Sequence, residues 1–275
     1  MNEPLLEVKA LQINLKQKNK HQQIIKGVKF ELFKGECLGI LGESGSGKSL
    51  TMKSIVGILD ASFSVEGEIL FKGDDLMKMS QNELRKIRGC KIAMIMQQPM
   101  ACFDPLIKIG AQIRETLHAH LTLKKEAMHA KCLSILEYMC IQNPEEVLQK
   151  YPHQLSGGML QRIMIGLALA LEPDIIIADE PTTAIDAITQ YEIIKEFQKI
   201  KQRGGTSLLF VSHDLGVIEN VADRVLVMNQ GCVVDQGSLQ EIVEHADDAY
   251  TRQLIKTRSC VRQKYLEALK ERSPE

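Results

Sequence analysis

Leu11, Ile13 and Leu15 alternate with polar residues, and so do Val28, Phe30 and Leu32, the two-residue period of strands with one face in a core. The pattern predicts strands over 5–15 and 23–33, joined by an exposed turn through the polar, lysine-rich stretch 16–23. A short apolar run then leads from Glu36 into a glycine-rich turn at Gly42, and a helix is expected from about Lys48 to Leu59. Further strand-like apolar runs lie at 91–96, 175–178, 207–211 and 224–228, with helical segments between most of them. That alternation predicts a mostly parallel sheet between layers of helices. From about Pro105 to Lys150 the period changes. Ile113, Leu117 and Leu121, then Leu133, Leu136 and Met139, recur at helical spacing with no clear strand, so this stretch reads as a helical subdomain inserted into an α/β core.

A chain of 275 residues can bury the interior of one large domain with a smaller subdomain. Its 34 Lys+Arg against 35 Asp+Glu leave a formal charge of −1, without the excess needed to coat nucleic acid or an anionic membrane. Nucleic acid is therefore not an expected partner. The tail 250–275 carries seven basic and three acidic residues and is read as an exposed amphipathic helix. Cysteines at 37, 90, 102, 132, 140, 232 and 260 are odd in number and never spaced Cys-x-x-Cys, which favours reduced thiols over zinc or disulfides. His118 and His120 stand two apart on a presumed helix and face different ways, and the twelve methionines read as core filler. No stretch reaches the ~18–20 apolar residues of a bilayer span. The acidic start, Met1–Lys9, is unlike a signal peptide, so any membrane is expected to be reached through a partner.

The strongest chemical signal is Gly42-Glu43-Ser44-Gly45-Ser46-Gly47-Lys48-Ser49, followed by Leu50, a full G-x-x-x-x-G-K-S phosphate loop between a strand and a helix. Its glycines let consecutive N–H groups point inward as an anion nest at a helix N-terminus. Lys48 is expected to reach the β- and γ-phosphates, and Ser49 to offer its hydroxyl to Mg²⁺. The run Ile175–Ala178 ends in Asp179 and Glu180. Asp179 is placed to hold Mg²⁺ through water, and Glu180 to activate an attacking water. A third element, Leu155-Ser156-Gly157-Gly158-Met159, opens a helix expected over Met159–Leu171 and supplies a second set of free N–H groups. One nucleotide does not need two nests in one subunit, whereas two subunits packed head-to-tail would.

Lying 114 residues after Gly42 and 23 before Asp179, that third element resembles the signature motif of ATP-binding-cassette (ABC) ATPases. The resemblance runs from about Leu5 to Ser259 and implies a P-loop NTPase (RecA-like) α/β core, an antiparallel β subdomain and an inserted helical subdomain. By that division 1–97 and 166–245 form the core, 98–165 the helical subdomain with the signature, and 246–275 a helical tail. The resemblance makes Gln97 the Q-loop glutamine, sensing Mg²⁺ and water. It makes Ala184-Ile185-Asp186 the D-loop, crossing to a partner subunit, and His213 the switch histidine on the γ-phosphate. The aromatic residue that usually stacks on adenine is missing around His21–Ile25, leaving His21 or an aliphatic side chain to substitute.

Gln97–Pro105, Tyr151–Arg162, Ala178–Thr183 and Ala249–Arg252 are similar to segments of the peptide and nickel importer ATPases, and Ile95–Gln97, Ser49–Thr51 and Met159–Gln161 most to the nickel importers among them. That similarity implies a chain peripheral to the cytoplasmic face of the membrane that uses ATP and Mg²⁺, with a second related ATPase, two membrane permease subunits and, indirectly, a solute-binding protein as partners. The cargo stays open between nickel, a metallophore complex, a dipeptide and an oligopeptide. Soluble cassette ATPases of DNA repair need a much longer insertion than the 114 residues here, those of translation carry two cassettes, and a regulator without turnover would be expected to lose Glu180 or His213. One further expectation concerns Met100, Cys102 and Phe103, apolar residues between Pro99 and Pro105. They are read either as a groove for a permease helix, or as side chains tucked into the helical subdomain's own core.

Overall fold

The computed structural model describes residues 3–17, 20–183 and 185–257. Strands β1 (Leu6–Gln17), β2 (Lys20–Leu32) and β3 (Cys37–Leu41) lead into α1 (Lys48–Ile55). Then come β4 (Phe63–Phe71), β5 (Asp74–Asp75), α2 (Gln81–Ile87) and β6 (Ile92–Ile95). Four helices follow without a strand: α3 (Pro99–Cys102), α4 (Ile109–His118), α5 (Lys125–Tyr138) and α6 (Pro144–Gln149). The chain continues through α7 (Gly157–Leu169), β7 (Ile175–Asp179), α8 (Ala187–Arg203) and β8 (Ser207–Ser212), then α9 (Leu215–Val221), β9 (Arg224–Asn229), β10 (Cys232–Ser238) and α10 (Leu239–His245). Residues 249–257 are helical as well.

Two sheets result. One is antiparallel in the order β2-β1-β4-β5; the other runs β10-β9-β3-β8-β7-β6, parallel except for the edge strand β10. The parallel strands are covered on both faces. Along β7, Ile176 and Ala178 enter one core cluster while Ile175 and Ile177 enter the other. The second cluster joins the parallel sheet to the antiparallel one, through Leu38, Ile40 and Leu226 against Leu6, Ile13 and Ile69. Each such fully buried aliphatic side chain stabilises the fold by about 1.5–3 kcal/mol. This is the mixed α/β architecture that the apolar runs predict.

The predicted strands pair as an antiparallel hairpin, with β1 running on to Gln17 and β2 starting at Lys20. Strands β4 and β10 are absent from the sequence reading. In β4 the alternation is interrupted at Gly67, which has φ 110°; a Cβ there would stand 2.7 Å from the carbonyl oxygen of Lys9, beside the register shift in β1. The first helix stops at Ile55 rather than Leu59. Gly57 turns the chain at φ 63°, and Arg88 donates to the carbonyls of Val56 (2.6 Å) and Gly57 (2.7 Å). The helical stretch begins at Pro99, ahead of Pro105, with α4 packed on α5 and α6, and α5 on α7. Phe103 is buried with Ile109 and Ile113, which overturns the groove reading for that residue. Met100 and Cys102 are exposed. Of the expected tail helix, 258–275 lie outside the described residues. Among the described residues no helix is long and apolar enough to cross a membrane.

Candidate nucleotide-binding site

The carboxyl ends of β3, β7 and β8 meet at one edge of the parallel sheet, where open α/β sheets bind their ligands. Gly42–Ser49 joins β3 to α1 there. Gly45 (φ 84°) and Gly47 (φ 103°) take the left-handed conformation that lets the loop curl. The loop is tightly packed from beneath. A Cβ on Gly42 would run into the Met228 carbonyl, and one on Gly47 into Ile25. The turn between β9 and β10 props it as well, since Gly231 N donates to Ser46 O at 3.0 Å while the Gly231 carbonyl accepts from Lys26 N at 2.9 Å. Ser44 is exposed and Leu50 half-buried.

Lys48 is only 3% exposed, and its Nζ donates to the carbonyls of Gly42 (2.7 Å) and Glu43 (2.8 Å) and lies 3.5 Å from Ser46 Oγ. Burial pushes its pKa down, against the opposing pull of the Glu180, Asp179 and Glu43 charges. An ammonium held by carbonyls and a hydroxyl inside a curled loop suits an incoming anion.

Asp179 ends β7, 2% exposed, and accepts from Ser49 Oγ at 2.9 Å. Its pKa is raised, chiefly by burial, while the Ser49 hydroxyl pulls the other way and neighbouring Glu180 adds to the rise. Glu180 is buried at φ 47°, a left-handed backbone that costs a non-glycine residue about 1–3 kcal/mol. Its N–H is held by the Val211 carbonyl at 3.0 Å. Three groups converge on one oxygen, Oε2: Gln97 Nε2 donates at 2.8 Å, Thr183 Oγ1 donates at 2.8 Å, and His213 Nδ1 lies at 3.3 Å. Gln97 and His213, 116 residues apart in the chain, thus meet on the same carboxylate.

The hard oxygens of the Ser49 hydroxyl, the Asp179 carboxylate and the Gln97 amide suit Mg²⁺, and a cation there would offset the cost of burying Asp179. This donor set fits the ion that the phosphate loop implies.

The structure does not bring every expected residue to this cluster. Ser156 is exposed and caps α7 by accepting Met159 N at 3.2 Å. Gly157 is exposed with nothing within 4 Å of a built Cβ, whereas a Cβ on Gly158 would stand 2.8 Å from Thr189 Cγ2. Asp186 caps α8, accepting from Ile188 N (3.1 Å), Thr189 N (3.0 Å) and Thr189 Oγ1 (2.7 Å), and these Thr189 bonds hold its carboxyl below the usual range. Among the described residues no hydrogen bond joins Ser156–Gly158 or Asp186 to the phosphate loop. Ala184 and the side chain of His21 lie outside the described residues. Ile25, the other expected neighbour of the base, is buried beneath Gly47. Sequence reasoning missed Thr183, whose position three residues after Glu180 in a tight turn was a usable signal. It also missed the role of Tyr250, whose hydroxyl accepts Glu43 N at 2.7 Å from 207 residues away; the family similarity of Ala249–Arg252 marks the segment but not this contact.

Comparison with known proteins identifies the family. The sequence profile of the family described as ABC transporter matches residues 25–183. The chain is 44% identical over 240 residues to the metal-staphylopine import system ATP-binding protein CntD of Staphylococcus aureus (strain NCTC 8325 / PS 47), covering 87% of this chain and 89% of that one. It is 44% identical over 253 residues to the oligopeptide transport ATP-binding protein OppD of Bacillus subtilis (strain 168), covering 91% of this chain and 71% of that one. Among solved structures, a dimeric ATP-binding cassette in a post-hydrolysis state with ADP and phosphate superposes with a TM-score of 0.76 at 28% identity, over 85% of this chain and 98% of the other. The chain belongs to the ABC transporter family and is an ABC-type transport ATPase.

Proposed function

We propose that this chain is the ATP-hydrolysing subunit of an importer, working with a second, related ATPase and two permease subunits at the cytoplasmic face of the membrane. The observation that carries the reading is the convergence of Gln97, Thr183 and His213 on Glu180, beside the Lys48–Ser49–Asp179 group. Lys48 turns from the Gly42 and Glu43 carbonyls to the β- and γ-phosphates of ATP, which the loop N–H groups receive. Ser49, Gln97 and, through water, Asp179 would hold Mg²⁺, which would neutralise charge on the phosphates. Gln97 and His213 shift from Glu180 towards the γ-phosphate, and the freed carboxylate accepts the proton of the attacking water. Ser156, Gly157 and Gly158 close the nucleotide of the partner ATPase, with Asp186 at the same boundary.

Segment 98–165 carries the motion of Gln97 to the permease. With Phe103 in the core, Met100 (47% exposed), Leu106 (84%) and Ile107 (38%) are the apolar surface available for that contact. The cargo is a metal–metallophore complex or nickel itself, as the relation to the staphylopine subunit suggests, with short peptides as the second reading from the equally similar oligopeptide subunit.

Glu180→Gln in the assembled transporter is expected to retain ATP binding and lose about 10²–10⁴ in turnover, the usual worth of a positioned base. Turnover at the unmutated rate would remove Glu180 from that role. Uptake of radioactive nickel, with and without chelators, against uptake of a labelled dipeptide in cells lacking the gene decides the cargo.

A further inference from the structure

The helix at 249–257 is anchored over the same end of the sheet as the phosphate loop. Tyr250, Leu254 and Ile255 pack against the larger core cluster, and Thr251 is wholly buried. The turn before it is tied to β10, because the Asp235 carboxylate accepts from the backbone N–H groups of Asp247 and Asp248, each at 3.2 Å. Arg252 Nη1 closes that turn by donating to the carbonyls of Ala246 (2.9 Å) and Asp247 (2.8 Å). From this fixed position the Tyr250 hydroxyl accepts the N–H of Glu43 at 2.7 Å. On the other side of the same residue, the Glu43 carbonyl accepts from Lys48 Nζ at 2.8 Å. Glu43 is therefore clamped twice, once by a group that must leave when phosphate arrives and once by a group that need not. Leu41, Glu43, His213 and Tyr250 share the walls of one cleft of about 280 Å³, so the helix borders the phosphate end of the site itself.

We infer that Tyr250 is a positioning residue for ATP: its hydroxyl holds Glu43 in place when Lys48 is drawn from the loop carbonyls to the phosphates. The inference rests on reading Gly42–Ser49 as the ATP site. Without the hydroxyl, a loop that has just lost the Lys48 bonds is free to relax, and the order it needs must come from the binding energy of ATP. The cost falls on affinity rather than on the chemical step, because among the described residues the Tyr250 hydroxyl bonds to Glu43 and no hydrogen bond joins it to Glu180 or its three partners.

Tyr250→Phe, which keeps the ring and its packing, tests this in the transporter assembled with its partner ATPase and permease. The expected result is a KM for ATP raised about five-fold, the worth of one hydrogen bond, with kcat within about two-fold. In the ATP-free subunit, amide exchange over 41–46 should quicken while the melting temperature holds within about 2 °C. An unchanged KM, unchanged exchange, or a kcat falling in step with the melting temperature would overturn the inference. Lys48→Ala measured in parallel separates it from its premise. Retained ATP binding there removes the ATP-site reading and this inference with it, whereas lost binding there beside an unaltered Tyr250→Phe removes this inference alone.

Discussion

Two glycine turns open helices in this chain, and they are built in opposite ways. The loop into α1 is finished by its own chain. Ile25, Met228, Gly231 and Tyr250 brace it from several elements, and its lysine is almost wholly buried. The turn into α7 presents Ser156 and Gly157 outward, and open space surrounds the position of a Gly157 Cβ. On the inner side Gly158 backs tightly onto Thr189 and hence onto the helix that Asp186 caps. Both turns free backbone N–H groups at the positive end of a helix dipole. The first is braced from beneath and carries a buried lysine while the second stands open, and in the proposed reading another subunit supplies the second turn's other wall.

The sharpest way to break this contrast is affinity. Lys48→Ala should weaken ATP binding to the isolated chain by about 100-fold, the scale of losing a charge-assisted contact to phosphate, while Ser156→Ala leaves it within about two-fold. Isothermal titration of the two variants checks it, and equal losses would place both turns on one nucleotide. Stability gives a smaller effect. Gly42→Ala drives a methyl group against the Met228 carbonyl and Ser46 and should cost about 1–3 kcal/mol, whereas Gly157→Ala should stay within about 0.5 kcal/mol. Thermal melting of both variants would blur the comparison if they fell together.

The smallest effect has the opposite sign. Asp179 has its folded pKa raised by burial, so its ionised form costs stability above that pKa, and the cost disappears as pH falls towards the ordinary carboxylate range. Asp179→Asn keeps an acceptor for Ser49 and removes the charge. It should raise the melting temperature by about 2–4 °C at neutral pH, with the gain shrinking in acid, while ATPase activity is lost. A lower melting temperature at neutral pH would contradict the assigned cause of the shift.

Local order made most of this legible. The parallel strands announced themselves as apolar runs because both their faces are covered, and the loop at Gly42–Ser49 because phosphate binding demands glycine and lysine at fixed spacing. Strand β4 escaped because Gly67, required where β1 bulges, breaks its alternation. Phe103 could not be assigned from its neighbours, since prolines on either side fit a rigid loop as well as a short helix feeding a core. The meeting of Gln97, Thr183 and His213 on one oxygen of Glu180 is a product of topology. Three strand ends placed side by side bring together residues that no sequence window contains. Tyr250 lies furthest from any such window.

The claim that the second turn serves another subunit's nucleotide is tested most directly by Gly157→Asp. The open space around that position admits the side chain without disturbing the fold, and its charge would face the partner's phosphates. ATP binding to the isolated chain should stay within about two-fold, while turnover of the assembled transporter falls at least about ten-fold, a loss of roughly 1.4 kcal/mol or more in the transition state. Turnover at the unmutated rate, with the variant folded and assembled, would contradict the account.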